Sequence, residues 1–340
     1  MKPKLSPTNR DTLRSLLCSR GEEAQYLRDC AARTSEELFG RAIYLRGLIE
    51  ISSYCRNNCL YCGLRRDNHS AERYRLSESQ ILECCATGYN AGLRTFVLQG
   101  GEDSYWRDER LVPLIEKITA LYPDAAITLS LGERSVDSYK ALYDAGASRY
   151  LLRHEAANRS LYAAIHPAEM SYNNRIESIK SLMKIGYQTG MGMMIGVPGQ
   201  QVDDIVDDLQ LIATLRPQMV GIGPFIPHPA TPFGNFPAGD INTTLNAVAI
   251  TRLLLPPALI PATTALATLS ADGHKLALGS GANVIMPNLS PTSVRGKYEI
   301  YAGKAASGTE AIEGIKALET EISAIGYRIN YAKGDYNDTI

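Results

Sequence analysis

Residues 48–62, with the sequence LIEISSYCRNNCLYC, decide the fold because a short β-branched run leads directly into three closely spaced cysteines. The run at 48–52 predicts a buried strand. Outward from it, further short apolar or β-branched runs alternate with helical patterns, which indicates repeated β/α units. The predicted strands are 48–52, 95–100, 127–132, 149–155, 189–196, 219–226, 261–268 and 282–287.

The intervening helices follow the same alternation to the end of the last strand. They are predicted at 77–91, 108–121, 135–145, 172–185, 201–215, 242–254 and 271–278, with a short turn at 158–165. The alternating segment spans roughly 240 residues, close to the ~250 of an eight-stranded β/α barrel. A doubly wound sheet competes, but it needs a G-x-G-x-x-G turn where the cysteines stand.

The predicted class is therefore α/β, a complete (β/α)8 TIM-type barrel over about 48–287. The remaining segments, 1–47 and 288–340, are predicted to be helical flanks. No Gly/Ser/Pro-rich linker separates them from the barrel, so the sequence predicts one domain over 1–340.

Charge and composition narrow the function classes. The chain has 35 Lys+Arg against 36 Asp+Glu, so no global positive field favours nucleic acid or a membrane surface. The N-terminal MKPKLS leads into no apolar run, which predicts a cytoplasmic protein without a secretory signal. The uncharged stretch 253–271 contains three prolines and is interpreted as a loop and a buried strand.

The fourth predicted strand carries unusual charges. Side chains alternate along a strand, so Arg149, Arg153 and Glu155 share one face while Tyr150 and His154 share the other. Barrel interiors are normally filled by branched aliphatic residues, and buried charges need partners. The charged face predicts a polar interior cavity that accepts a charged ligand. The alternative is an internal ion pair between Arg153 and Glu155.

Three cysteines form a C-x3-C-x2-C motif at Cys55, Cys59 and Cys62. Three thiolates can bind three irons of a four-iron cluster and leave the fourth iron open. An open iron can chelate S-adenosylmethionine and pass an electron into its sulfonium. The alternative, a structural zinc, needs four ligands, and His69 is the nearby candidate for the fourth. The other cysteines are interpreted as structural: Cys18, Cys30, Cys84 and Cys85.

Five segments resemble the radical S-adenosylmethionine superfamily, and within it the HydE family of [FeFe]-hydrogenase maturases. The resemblance covers roughly residues 45–304, and its segments beyond the cysteines are specific to that family. They are 54–68 (YCRNNCLYCGLRRDN), 97–103 (VLQGGED), 149–155 (RYLLRHE), 221–229 (GIGPFIPHP) and 281–288 (GANVIMPN).

The resemblance implies one [4Fe-4S] cluster on the three cysteines and a bound S-adenosylmethionine. The glycine-rich turn after the second strand would receive the methionine amine, Glu155 would hold the ribose and Arg175 would pair with the methionine carboxylate. Tyr61 and the backbone around Ile195 would line the adenine. The implied cofactor-binding residues are Tyr61, Gly100, Gly101, Glu102, Ser130, Glu155, Arg175 and Ile195.

A substrate or anion cavity deeper in the barrel is also implied by the resemblance. Arg149 and Tyr298 are the residues assigned to the reaction there, beside the three cysteines. The alternation in the third and fourth strands independently places Thr128 and Arg149 on the interior face. The implied cavity residues are Thr128, Arg149, Arg153, Thr263, Thr264, Met286 and Tyr298.

The implied activity is assembly of the di-iron subcluster of [FeFe]-hydrogenase, with a cysteine-bound iron carbonyl and cyanide complex as substrate. The implied partners are the maturases HydG and HydF and a reductant such as ferredoxin or flavodoxin. Some relatives carry a second cluster in the C-terminal flank, but no cysteine follows Cys85 here. Two alternatives remain open: a related radical mutase or ligase acting on a small amino acid, and a non-catalytic iron–sulfur carrier.

Overall fold

The computed structural model describes residues 9–304 and 311–337. The predictions for residues 1–8 of the N-terminal flank and for residues 305–310 and 338–340 of the C-terminal flank therefore lie outside the described residues. The helices are α1 (Arg10–Cys18), α2 (Gly21–Phe39), α3 (Glu78–Asn90), α4 (Asp108–Leu121), α5 (Val136–Asp144), α6 (Arg159–Ile165), α7 (Tyr172–Ile185), α8 (Val202–Leu215), α9 (Ile241–Leu254), α10 (Thr264–Leu269), α11 (Gly273–Leu278), α12 (Thr292–Arg295) and α13 (Ala311–Ala324).

The strands are mostly short and buried. They are β1 (Ala42–Leu45), β2 (Gly47–Ser52), β3 (Thr95–Gly100), β4 (Ala126–Ser130), β5 (Ala147–Leu151), β6 (Gln188–Ile195), β7 (Met219–Pro224), β8 (Val284–Ile285) and β9 (Arg328–Asn330). Strands β2 to β7 form a six-stranded parallel sheet in sequential order. Helices connect the strands, as parallel neighbours require. The predicted α/β class and strand sequence are confirmed for this sheet.

Side-chain caps start several of the helices that follow the strands. The Ser77 hydroxyl accepts a hydrogen bond from the backbone N–H of Gln80, and the side-chain oxygen of Gln80 accepts one from the backbone N–H of Ser77. Ser135 and Ser171 cap α5 and α7 through their hydroxyls, and Asp240 caps α9 through its carboxylate. Such caps satisfy N–H groups that have no partner inside the helix, so they fix where each helix begins.

Isolated parallel bridges connect this sheet with a second, three-stranded one, in which β1 lies between β8 and β9. The bridges join Leu48 with Asn288, Met219 with Leu259, and Pro261 with Val284. Backbone hydrogen bonds of 2.8 and 2.7 Å, from Leu48 N to Pro287 O and from Leu289 N to Leu48 O, reinforce the first of these.

The predicted strand at 261–268 is wrong. Only Pro261 makes a bridge there, and the threonine-rich segment after it forms α10 (Thr264–Leu269). Pro261 has no N–H to donate to a ladder, so the strand cannot extend through it as a regular strand would. The Thr268 hydroxyl donates to Thr264 O at 2.9 Å, one helical turn earlier. This bond allows threonine, which usually favours strands, to be accommodated in the helix.

The flanks are not purely helical as predicted. In the N-terminal flank, β1 follows α2 and pairs with β8 and β9. In the C-terminal flank, β9 follows α13 and runs parallel to β1 with Ala42 opposite Arg328. Among the described helices, none combines the length and the apolar content that a membrane crossing requires.

Strand β5 shows which of its faces points inward. Tyr150 donates to Gly132 O at 2.9 Å and packs edge-on against the Tyr139 ring of α5. His154, which follows the end of β5, lies 3.1 Å from Asp208 of α8, with both side chains fully buried. Tyr150 and His154 therefore face the outer helices, and Arg149 points to the opposite, interior side. This is the arrangement that the alternation along the strand predicts.

Candidate active site

The three motif cysteines lie on the loop that leaves the C-terminal end of β2. Cys55, Cys59 and Cys62 are all partly exposed and free of disulfides. The backbone N–H of Arg56 donates to Glu102 O at 2.9 Å, which ties this loop to the turn after β3. The C-terminal ends of parallel strands are where barrel enzymes place their chemistry.

The thiols fit a cluster. Burial raises the pKa of all three, that of Cys62 to about 12, and the neighbouring Cys55 and Cys62 raise that of Cys59 further. Their thiolate forms therefore need a positively charged group between them. In the described part of the chain, no three His, Cys, Asp or Glu side chains lie close enough together to hold a single metal ion. The loop suits a cluster, in which each thiolate binds a different iron, better than one zinc ion.

The turn after β3 contacts the cysteine loop closely. A Cβ atom on Gly101 would lie 2.4 Å from Tyr54 O and 2.6 Å from Cys55 Cβ, so only glycine fits there. The Glu102 carboxylate lies 2.9 Å from Arg56 Nη2 and accepts the backbone N–H of Glu133 at 2.8 Å. Its side chain thus supports the loop, and the backbone of the turn is the part left to face a ligand.

Replacing Gly101 by Ala is expected to lower the free energy of unfolding by roughly 1–3 kcal/mol, because backbone atoms cannot yield to the new methyl group. The displaced cysteine loop should also bind less iron per chain. Gly100→Ala is the matched control, since its Cβ would meet its nearest atom at 3.4 Å. Denaturant unfolding and iron content of the two variants check this; equal stability would contradict the close approach.

Arg153 and Glu155 lie just beyond β5, near the cysteine end. Glu155 has a φ of 65°, unusual for a residue with a side chain, and strain of this kind clusters at functional sites. Its Oε2 is 3.2 Å from Arg153 Nη2, so the ion pair considered from the sequence is present. Both atoms are nevertheless buried without a hydrogen bond. Glu155 Oε2 therefore retains capacity to accept from a ligand hydroxyl.

Arg175 is buried at the start of α7. Its Nε donates to Glu133 Oε1 at 2.5 Å, and its Nη1 donates to Arg153 O at 2.6 Å. These contacts hold the guanidinium plane and leave the Nη2 edge for a ligand. Its partner Glu133 and its chain neighbour Asn174 line a cleft of about 630 Å³, together with Arg56, Glu102 and Met170 among others.

An apolar wall stands on the other side of the cysteine loop. Tyr61 packs against a buried cluster that includes Met194, Tyr162 and Phe225, and its hydroxyl lies 3.2 Å from His166 Nε2. Such a wall suits the flat face of an adenine. The backbone at Ile195, by contrast, is already bonded: its carbonyl accepts from Phe225 N at 2.8 Å.

Gln200, which sequence reasoning missed, binds the backbone on both sides of Ile195. It accepts from Gly196 N at 2.6 Å and donates to Met194 O at 3.0 Å. Together with the Phe225 contact, these bonds give the end of β6 a fixed shape. The segment can therefore line a ligand mainly through its apolar surface rather than through its own polar groups.

The interior below the cysteines contains hydroxyls and guanidinium atoms without hydrogen bonds. They are Thr128 Oγ1, Thr263 Oγ1, Arg149 Nε, Arg153 Nε and Arg153 Nη2, each buried. Thr128 and Arg149 are neighbours in register across β4 and β5. Buried polar atoms are normally paired, so this set indicates a place for a polar ligand.

Arg149 differs from expectation in one respect. Its Nη2 donates to Asp335 Oδ1 at 2.7 Å and to Lys333 O at 3.0 Å, and its Nη1 donates to Thr95 Oγ1 at 3.2 Å. The C-terminal tail thus already neutralises most of this guanidinium. Asp335 also accepts from Gln188 at 3.0 Å, which holds the tail against the start of β6.

Tyr298 lies in the C-terminal segment and is buried. Its carbonyl accepts from Lys304 Nζ at 3.2 Å, and that ammonium lies 4.6 Å from the centre of its ring. Lys304 also pairs with Glu50, whose second oxygen accepts from Asn288 at 3.0 Å. Sequence reasoning missed this buried pair, although Glu50 is the one carboxylate of the first predicted strand, which corresponds to β2.

The remaining predicted residues lie at the edges of this arrangement. Ser130 ends β4, and Thr264 is the first residue of α10. Met286 packs with Met219, Leu259 and Val284 in a small apolar cluster. These residues are brought near the strand ends, but the structure gives none of their side chains a polar contact that would indicate a ligand.

Comparisons with known proteins agree with this geometry. Residues 49–212 match the model of the Radical SAM superfamily. The chain is 46% identical over 265 residues to the [FeFe] hydrogenase maturase subunit HydE of Thermotoga maritima, which covers 78% of this chain and 75% of that protein.

Two further comparisons point to a second branch of similar proteins. The chain is 29% identical over 321 residues to 3-methylornithine synthase of Methanosarcina acetivorans, covering 93% of this chain and 89% of that protein. The crystal structure of methylornithine synthase (PylB) superposes with a TM-score of 0.84 at 26% identity, covering 95% and 94% of the two chains.

Proposed function

Because the chain belongs to the HydE family of the radical SAM superfamily, we propose that it acts on a small cysteine-bound iron complex carrying carbonyl and cyanide ligands. It is a radical SAM enzyme of [FeFe]-hydrogenase maturation, with a [4Fe-4S] cluster and S-adenosylmethionine as cofactors. The proposed step is assembly of the di-iron subcluster. The observation that carries it is the buried set of unpaired polar atoms around Arg149 and Arg153, which suits an anionic substrate.

The proposed roles of the residues follow from their contacts. A cluster held by the three cysteines would supply the electron for reductive cleavage of S-adenosylmethionine. Cys55, Cys59 and Cys62 hold the cluster, Arg175 binds the methionine carboxylate through Nη2, and Glu155 accepts from the ribose. The apolar wall at Tyr61 excludes water from the reacting carbon.

The interior residues hold the substrate. Arg153 and the Thr128 and Thr263 hydroxyls contact its polar groups, and the buried Tyr298 closes the chamber from the C-terminal side. Arg149 supplies positive charge at the lower end, where the tail contact with Asp335 already fixes its guanidinium. Anion recognition by arginine favours planar groups such as carboxylates.

The proposed architecture is one closed (β/α)8 barrel in a single domain. The bridges from β7 through residues 259–261 to β8 and on to β2 support closure of the two sheets into one ring. We further propose a cytoplasmic enzyme that receives an electron from a ferredoxin or flavodoxin and works between HydG, which would supply its substrate, and HydF, which would take its product. The noncatalytic carrier is disfavoured, because a carrier has no use for the Arg175 site.

A second candidate function is rearrangement or ligation of a small amino acid. The similarity to 3-methylornithine synthase over nearly the whole chain favours it, and the same cavity would bind a free carboxylate. Hydrogenase maturation and amino-acid rearrangement are separated by the assay that follows, since only the former activates a hydrogenase.

Arg149→Leu is expected to leave uncoupled cleavage of S-adenosylmethionine intact and to lower the yield of active hydrogenase, because it removes an anion contact far from the cysteines. The anaerobically purified, reduced enzyme is assayed for 5′-deoxyadenosine and for activation of apo-hydrogenase in a maturation mixture. Asp335→Asn is the control, since it weakens the same tail contact and keeps the guanidinium.

The two variants together decide the role. Full maturation by Asp335→Asn with impaired maturation by Arg149→Leu supports a substrate contact. Equal impairment of both would assign Arg149 to holding the tail instead. Absence of 5′-deoxyadenosine from the wild-type enzyme would contradict the radical reaction itself.

A further inference from the structure

We propose that Glu133 is a positioning residue for the cofactor carboxylate: it fixes the guanidinium of Arg175 and couples it to the cysteine loop. This inference rests on the proposed function, in which Arg175 binds the methionine carboxylate of S-adenosylmethionine. Glu133 lies two residues beyond Leu131, outside the motifs that the sequence singled out.

The contacts of Glu133 are made to two consecutive residues of α7. One oxygen accepts from Arg175 Nε at 2.5 Å, and the other accepts from the side-chain amide of Asn174. Arg175 Nη1 is held separately, by Arg153 O at 2.6 Å. With Nε and Nη1 both bonded, the guanidinium cannot rotate, and its Nη2 edge is the part presented to a ligand.

Glu133 is itself fixed by the glycine-rich turn. Its backbone N–H donates to Glu102 Oε1 at 2.8 Å. The preceding Gly132 has a φ of 75°, and a Cβ there would lie 2.1 Å from Glu102 Cγ, so the carboxylate of Glu102 occupies the space beside the backbone. The carbonyl of Gly132 also accepts from Tyr150 at 2.9 Å. The Glu133 backbone is thus held from two sides.

The same Glu102 carboxylate connects this pair to the cysteine loop. Its Oε2 lies 2.9 Å from Arg56 Nη2, and Arg56 follows Cys55 directly. A continuous chain of contacts therefore runs from the cysteine loop through Arg56, Glu102 and Glu133 to Arg175. The cluster and the carboxylate site are held in one relative position, which a cofactor that binds both of them requires.

The charges explain why an acid is needed. Arg175 and Glu133 have side-chain exposures of only 8% and 13%. A buried guanidinium without a carboxylate is costly and seeks other acceptors. Glu133 offsets that cost by accepting at Nε and leaves Nη2 for the proposed ligand, so the cation stays in place before the cofactor arrives.

The first test is the affinity of the cluster-loaded enzyme for S-adenosylmethionine, measured by anaerobic equilibrium dialysis. Glu133→Gln is expected to weaken it about tenfold, or about 1.4 kcal/mol. Binding of decarboxylated S-adenosylmethionine, which lacks the group that Arg175 binds, should change by less than about twofold. Glu177→Gln is the matched control, because Glu177 pairs with Lys180 at 2.8 Å on the exposed side of the same helix.

A double-mutant cycle separates positioning from a merely structural role. If Glu133 acts through Arg175, then Glu133→Gln has no further effect on affinity in the Arg175→Ala background. Equal loss for both ligands, or additive losses in the double variant, would overturn the inference.

A second variant covers the case in which Glu133→Gln fails to fold. Asn174→Ala removes the other contact of the Glu133 carboxylate, and it must weaken binding of S-adenosylmethionine by a smaller factor without weakening binding of the decarboxylated compound. Unchanged affinity of Asn174→Ala for S-adenosylmethionine also overturns the inference. Failure of the wild-type enzyme to bind S-adenosylmethionine would instead refute the proposed function.

Discussion

Cys59→Ala is expected to abolish the iron–sulfur cluster and, with it, all cleavage of S-adenosylmethionine. Two thiolates cannot hold three irons, and no fourth cysteine lies in the loop to replace the lost ligand. Burial and the two neighbouring cysteines together raise the pKa of the Cys59 thiol, so its thiolate depends on a positively charged group such as the cluster irons. Iron and sulfide content and visible absorbance after anaerobic reconstitution measure the loss.

The control for this variant is a cysteine outside the loop. Cys84 and Cys85 lie in α3, 5% and 0% exposed, and contribute to the apolar core. Cys85→Ala is expected to keep the full cluster and to lose only packing stability, since a thiol there acts as a small apolar group. A normal cluster in Cys59→Ala, or a missing one in Cys85→Ala, would contradict the assignment of ligands.

Arg175→Ala is expected to weaken S-adenosylmethionine binding roughly tenfold to a hundredfold, because a charge-assisted contact contributes about 1.5–3 kcal/mol. The variant also leaves Glu133 without its cation. Arg149→Ala is expected to leave this affinity unchanged. Arg149 is in register with Gln188 at the start of β6. Arg175 donates to the carbonyl of Arg153, close to Glu155, which is bridged to Met193 near the end of β6. The two arginines therefore act at different depths.

Equal loss of cofactor affinity in the two arginine variants would show that the boundary between cofactor and substrate sites is misplaced. Anaerobic equilibrium dialysis gives both affinities, and the cluster content of each variant is checked first. An intact cluster in both variants ensures that the comparison concerns the arginines alone.

Most of the sheet could be predicted because the alternation of side chains along a strand can be recognised within a few consecutive residues. The β3 bounds agree fully, and the faces of β5 follow from alternation, with Tyr150 on the helix side. The segment at 261–268 failed because threonine content favours a strand, whereas Pro261 and the helical turn of α10 decide otherwise. The strands β1 and β9 were missed because three or four residues paired across the whole chain leave no periodic signal.

The site was predictable where its residues stand in contiguous motifs, and not where partners come from distant segments. The cysteine motif and the glycine-rich turn could be recognised because their residues are close together in the sequence. Glu133 stands apart from Arg175 by 42 positions, and Asp335 from Arg149 by 186. Which acid pairs with which arginine depends on the folded path of the chain, and no local pattern encodes it.

The contact between Arg149 and Asp335 in the C-terminal tail affects the order in which the chain can fold during synthesis. Strands β2 to β7 leave the ribosome long before Asp335, so Arg149 has to wait for its counter-ion until nearly all of the described chain has been synthesised. A guanidinium buried without a partner disfavours early closure of the interior. The contact between Arg149 and the tail can therefore form only after all the strands around Arg149 have been synthesised, so this end of the interior is completed late.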